Sequence, residues 1–313
     1  MNQHPAALQR GDTVGIIAPA SPPDEMKLAK GIAFLERLGL KVKQGKHIHR
    51  RYGYLAGHDY ERVEDLHDMF QDPKVKAILC ACGGYGTGRI AEAINYDLIR
   101  KNPKIFWGYS DITFLHIAIH QQTGLITFHG PMLSSDVGDE QVHPYTKDTF
   151  LQLFTPKPFT YANHLSPLKT IYQGTASGEI MGGNLALIVT TLGTPFEIDI
   201  KGKLLLIEDI DEEPYKIDRM MQHLKSAGKL DDAAGFIVGD FHQCEPQKKE
   251  QSLTLEHLWE TYLLPQKKPA LGGFQIGHSS PNFAIPIGTQ AVLDATGKAL
   301  RISPGVVAKE AIK

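Results

Sequence analysis

Cysteine is scarce: the 313-residue chain has three, and two of them, Cys80 and Cys82, flank a single alanine. That count and spacing exclude a disulfide framework and fit a reducing compartment. An excess of either charge is missing too. Lys plus Arg is 33 and Asp plus Glu is 35, a formal charge of −2, so nothing in the balance calls for a nucleic-acid or membrane-surface partner. No stretch approaches the roughly 18 continuous apolar residues of a membrane span. Residues 1–11 are polar where a signal peptide needs an apolar core. The expectation is a cytoplasmic protein. What the chain has is length, enough for two domains at roughly 150 residues each, and 14 histidines, which invite a metal or acid–base role.

Short apolar runs alternate with amphipathic stretches through the first 130 residues. Thr13–Ala18, a short run from Val42, Val75–Cys80, Lys104–Gly108 and Leu125–His129 read as strands. Asp24–Leu38, Asp59–Phe70, Arg89–Arg100 and Ile112–Gln122 read as helices, the first ended by Gly39. Such alternation implies an α/β domain, a parallel sheet with helices on both faces and ligands at the carboxyl ends of its strands. From Thr155 to Lys169 the composition turns polar and proline-rich, read as a linker or a domain edge. The expected domains are therefore 1–160 and 161–313. The second, with strands at Gly174–Ile180, Lys203–Ile207, Gly235–Val238, Ala291–Asp294 and Ala299–Ile302 and helices between them, is expected to be α+β.

Four places carry possible chemistry. Gly83-Gly84-Tyr85-Gly86-Thr87-Gly88-Arg89 is a glycine-rich turn between strand and helix, where backbone N–H groups can approach an anion or oxyanion. As a dinucleotide fingerprint it fails at Arg89, although Asp111 stands where a ribose-binding acid would. A turn that simply needs positive φ is the plain alternative. Gly108-Tyr109-Ser110-Asp111 joins a strand to a helix, the setting of a nucleophile elbow, or of an ordinary helix cap. Glu208-Asp209-Ile210-Asp211-Glu212-Glu213 follows an apolar strand; a solvated loop is its default reading, but Glu208 directly extends the strand. Gly277-His278-Ser279-Ser280-Pro281-Asn282 holds a histidine on a loop fixed by glycine and proline. Together Ser110, Glu208 and His278 supply nucleophile, orienter and base for serine hydrolysis. Metal readings are weaker. His116 and His120 have zinc-helix spacing without the adjacent glutamate, and His47/His49 and His242/Cys244 are isolated pairs. Cys82 as a thiol nucleophile has no base near it in sequence.

The segments GDTVGIIAPAS, CGGYGTGR, WGYSDIT, FHGPM, MGGNLALI, LLLIEDIDEEPYKIDRM and IGHSSPNFAIPIG, in that order, resemble the LD-carboxypeptidase family of serine peptidases, which includes muramoyltetrapeptide carboxypeptidase and the microcin C immunity peptidase. The resemblance implies Ser110 as nucleophile, Glu208 and His278 as its partners, and backbone N–H groups of Gly84 and Asp111 as the oxyanion hole. It implies an N-terminal three-layer parallel-sheet domain carrying the serine and a C-terminal, swivelling β/β/α-like domain carrying glutamate and histidine. A homodimer is implied, and no metal or cofactor. The implied reaction is release of terminal D-alanine from a murein tetrapeptide. Hydrolysis of a peptide-nucleotide antibiotic, or a non-catalytic or dinucleotide-binding α/β protein, stand as alternatives. Arg89 is the candidate for binding the substrate carboxylate. Cys82 departs from the arginine common before the glycine pair in relatives near the muropeptide enzymes.

Overall fold

The computed structural model describes residues 2–309. By contacts the chain divides into two units. One holds the chain up to Lys157, together with Ser280–Gly288 and the chain from Pro304; the other holds Pro158–Ser279 and Thr289–Ser303. The crossing at Lys157 is a few residues from position 160, but the chain past it does not stay in the second unit.

The first unit is built on a six-stranded sheet in the order Ile285–Ile287, Thr127–His129, Ile105–Gly108, Val75–Cys80, Thr13–Ile17, Lys41–Gln44. Its strands are parallel except Ile285–Ile287, which joins the edge antiparallel. Alternate residues of a strand face opposite ways, and here both ways lead to a core. Ala77, Leu79, Ile105 and Trp107 pack with Leu28, Phe34 and Leu35 of the helix Glu25–Arg37. Ile78, Cys80 and Phe106 pack with Val63, Leu66 and Phe70 of Asp59–Gln71 and with Leu115 and Ile119 of Thr113–Thr123. Helix, sheet and helix make the three layers expected from the alternating sequence.

One expected helix is broken. Residues 89–100 form a short helix Thr87–Ile90, a 3-10 turn Ala91–Ala93 and a second helix Tyr96–Lys101. Asn95 restarts the helix by accepting a hydrogen bond from the Leu98 N–H, a local bond that competes with a continuous helix.

The second unit carries an eight-stranded sheet in the order Phe159–Ala162, Ala299–Ile302, Gln290–Asp294, Thr175–Asn184, Leu204–Ile210, Gly235–His242, Ala270–Gly272, Lys169–Tyr172. Its central strands are parallel and the outer ones antiparallel. Phe159–Ala162 and the start of Lys169–Tyr172 correct the linker reading: these are the two edge strands, partly exposed, with polar residues at Thr160 and Lys169 where they meet solvent.

Candidate active site

Ser110 sits between the strand Ile105–Gly108 and the helix Thr113–Thr123, in the left-handed region at φ 63°. A non-glycine residue held there costs about 1–3 kcal/mol and persists only where its surroundings impose it. Those surroundings are visible. The Gly108 carbonyl accepts hydrogen bonds from the Gly130 N–H at 3.0 Å and from His116 Nε2 at 2.8 Å, fixing the residue two before the serine. His116 is fully buried and its pKa is pushed by burial down to about 4, so its ring is a neutral donor. His120 is likewise engaged, Nδ1 to the Leu125 carbonyl at 3.1 Å. The zinc-helix reading of this pair is thereby replaced by two rings that tie a helix to backbone carbonyls. Among the described residues no three His, Cys, Asp or Glu side chains group as metal ligands.

The glycine turn lies against this serine. A Cβ on Gly83 would stand 2.9 Å from Ser110 Cβ, so the close approach requires glycine there. Gly84 has φ 101° and packs on Ser21, whose Oγ would be 2.2 Å from an added Cβ. Ser21 organises the turn: its N–H donates to the Gly83 carbonyl at 3.1 Å, its Oγ accepts from the Tyr85 N–H at 3.2 Å, and its carbonyl accepts from Cys82 Sγ at 3.0 Å. Among the described residues the Gly84 N–H has no acceptor within the protein. Arg62, 1% exposed, donates through Nη1 to the carbonyls of Pro19 and Gly86, and through Nη2 to Asp59. Neither Ser21 nor Arg62 has a sequence signature, because most of their partners are backbone groups.

Asp111 is 2% exposed and closes the second side of the turn. Its carboxylate accepts the Thr87 N–H at 2.9 Å, and its carbonyl accepts from Thr87 Oγ1 at 2.6 Å. Burial raises its pKa. The side chain anchors the helix that follows the glycines and leaves its own N–H for chemistry, so the ribose-binding reading has no support in the geometry. Cys82 is no thiolate: burial pushes its thiol up to about 12. Arg89 is already gripped by Asp59, Nε to Oδ1 at 3.1 Å and Nη2 to Oδ2 at 2.8 Å. The fork that would clamp a substrate carboxylate is therefore occupied.

In the second unit Glu208, 0% exposed, accepts a hydrogen bond from His278 Nδ1 at 2.8 Å. Glycine makes this possible. Gly277 has φ 113°, and a Cβ on it would meet Glu208 Oε2 at 2.3 Å. A buried carboxylate on Nδ1 fixes the tautomer and leaves Nε2 as the basic nitrogen. Register also contributes: Asn184 pairs with Glu208 across parallel strands, and Gly182 lets the two approach, since a Cβ there would fall 2.0 Å from the Leu206 carbonyl oxygen.

Of the remaining acids of the run, Asp211 is exposed as a solvated loop would have it, and the others have separate partners. Asp209 is buried and accepts from Asn184 Nδ2 at 2.9 Å and from the Ala186 N–H at 3.0 Å, which anchors the helix Leu185–Thr191. Burial, with Glu208 beside it, raises its pKa to about 7. Glu212 pairs with Lys216 at 3.0 Å, and Glu213, at the start of the helix Pro214–Ser226, accepts the Gln247 N–H at 3.3 Å.

Comparison with known proteins decides the family. The LD-carboxypeptidase N-terminal domain profile matches residues 14–130 and the LD-carboxypeptidase C-terminal domain profile matches residues 177–293. The chain belongs to the LD-carboxypeptidase family. It is a carboxypeptidase. This family member is 61% identical over 306 residues, 98% of its own length and 96% of the relative's, to the probable murein peptide carboxypeptidase of Bacillus subtilis strain 168. Its fold is similar to that of the Microcin C7 self-immunity protein MccF in the apo state, with TM-score 0.89 at 26% identity over 96% of this chain and 98% of that one. It is also similar to muramoyltetrapeptide carboxypeptidase from Oxalobacter formigenes, with TM-score 0.84 at 25% identity over 95% and 100%.

Proposed function

We propose that this carboxypeptidase is a serine enzyme that releases the terminal D-alanine of a murein tetrapeptide, cutting the bond between the L-centre of diaminopimelate or lysine and D-Ala. The observation that carries the serine mechanism is the buried Glu208 held 2.8 Å from His278 Nδ1. Similarity at 61% identity to a probable murein peptide carboxypeptidase supports the substrate over a peptide-nucleotide, for which the support is a likeness to the self-immunity protein at 29% identity in sequence and a shared fold. Ser110 Oγ attacks the scissile carbonyl carbon while His278 Nε2 takes its proton. Glu208 stabilises the imidazolium. The N–H groups of Gly84 and Asp111 donate to the oxyanion, a contribution of about 3 kcal/mol per donor where it has been measured in other hydrolases. The C–N bond breaks, His278 returns the proton to the departing D-alanine amine, and water hydrolyses the acyl-enzyme by the same path. None of these steps uses a metal or cofactor.

The same reading puts the enzyme in the cytoplasm as a homodimer acting on recycled cell-wall peptide. Arg89 receives no role in it, given its bidentate pairing with Asp59. Ser110→Ala is expected to lower kcat by at least about 10³-fold while leaving the thermal melt within a few degrees. The assay is mass-spectrometric detection of D-Ala loss from murein tetrapeptide. A variant that retains wild-type turnover overturns the serine assignment.

A further inference from the structure

A cleft of about 500 Å³ lies in the second unit, lined by residues that include Val238, Gly239, Asp240 and Phe241 of the strand Gly235–His242. It opens at the carboxyl end of that strand and of Ala270–Gly272, the parallel edge where α/β folds take ligands. The neighbouring parallel strand carries Glu208, whose Cβ would be 3.1 Å from a Cβ on Gly239, so the cleft adjoins the Glu208–His278 pair. Phe241 and Trp259 form an aromatic wall with ring centroids 4.9 Å apart.

The polar lining is one-sided. Asp240, Glu256 and Glu260 face one cation, Lys169, a formal balance of 1 − 3 = −2. Asp240 Oδ2 is a buried atom on a side chain that is 31% exposed, and His242 Nδ1 stands 3.5 Å from it, longer than an ordinary hydrogen bond. Burial raises the Asp240 carboxyl above its usual range, with His242 opposing and Glu208 adding to the shift. A partly exposed carboxylate whose buried oxygen has one long contact can be reached from the cleft, and an incoming ammonium would give that oxygen a closer, charge-assisted donor.

We propose that this cleft receives the ammonium-bearing side chain of the residue whose carbonyl is attacked, and that Asp240 selects it; this rests on the murein reading above. The chemistry of the walls matches an amphipathic amine. A methylene stem lies against Trp259 and Phe241, and the terminal cation reaches Asp240 with the ring face of Trp259 nearby. The acidic lining turns carboxylates away, so the cleft favours lysine over diaminopimelate, whose side chain ends in a carboxylate beside its ammonium. Asp240 is thus a specificity-determining residue, separate from the catalytic three.

The test has two arms. In the first, tetrapeptides carrying lysine or norleucine at the third position are compared; norleucine has the same four-carbon chain without the amine. The wild type is expected to favour lysine by at least about 30-fold in kcat/KM, mainly through KM, the scale of one buried charged hydrogen bond. Asp240→Asn is expected to compress that ratio to within about 3-fold. In the second arm Nα-acetyl-L-lysine amide and its norleucine counterpart are titrated while tryptophan emission is followed. Of the two tryptophans Trp107 is fully buried in the first unit, so Trp259→Phe should abolish any response. Lysine-selective quenching that Asp240→Asn removes supports the cleft even if no tetrapeptide is cleaved, in which case only the murein reading fails. Cleavage with a lysine-to-norleucine ratio that Asp240→Asn leaves unchanged, or quenching equal for the two amides, overturns the cleft and spares the murein reading.

Discussion

Ser110, Gly277 and His116 show three ways a single residue serves the site: by a strained conformation, by absent atoms, and by a proton it refuses. Gly277→Ala places a methyl 2.3 Å from Glu208 Oε2 at φ 113°. It is expected to cost at least about 2 kcal/mol in urea unfolding and to lower kcat, because the carboxylate must move off His278. The His116 ring stays neutral in the fold, with its pKa at about 4 against 6.5 for the free group. Between those values the unfolded chain binds a proton that the folded one does not, so stability is lost as pH falls through the window, by about 3 kcal/mol in full. His116→Gln, which keeps a donor for the Gly108 carbonyl, should flatten that part of a stability-against-pH curve. The Glu208–His278 pair and the strained turn at Ser110 lie where the sequence directs attention, because each stands in a turn or strand end of unusual composition. Ser21 and Asp240 do not: one acts mostly on backbone groups, and the other matters through the cleft around it.

At the scale of elements, the junction Gly182-Gly183-Asn184 joins a strand to the helix that follows it. Asn184 accepts the Leu187 N–H as the cap of Leu185–Thr191 and donates to Asp209, so one side chain ties a helix to the strand that carries Glu208. Asn184→Ala is expected to cost about 1–2 kcal/mol in a thermal or urea melt, a lost cap with a lost buried hydrogen bond. Elements with a sustained apolar period, such as Val75–Cys80 and Asp59–Gln71, were readable to within a residue or two. Those whose definition depends on a partner were not. Ile285–Ile287 is three residues long with a proline at its centre, and becomes a strand only because Thr127–His129 offers an edge. Phe159–Ala162 is held by Ala299–Ile302, far along the chain.

For the whole molecule, the division into two units was legible from the change of texture near residue 155, but its path was not, since no local pattern tells that a chain will return. The return has a measurable effect. A fragment ending at Lys157 lacks Ile285–Ile287, leaving Thr127–His129 as an open edge beside Ile105–Gly108. It is expected to aggregate or melt well below the full chain, observable by size-exclusion chromatography and calorimetry; a soluble, cooperatively melting fragment would show the edge strand to be dispensable.

His278 precedes the point where the chain leaves the second unit by two residues, and Ile285–Ile287 follows within seven. Recombination between relatives meets this directly. A single crossover near residue 157 joins one parent's first sheet to the other parent's edge strand, inherited on the same short segment as the histidine. Chimeras that exchange substrate preference while keeping a sound first sheet will therefore need a second crossover between His278 and Ile285, so that the base travels with one parent and the strand with the other.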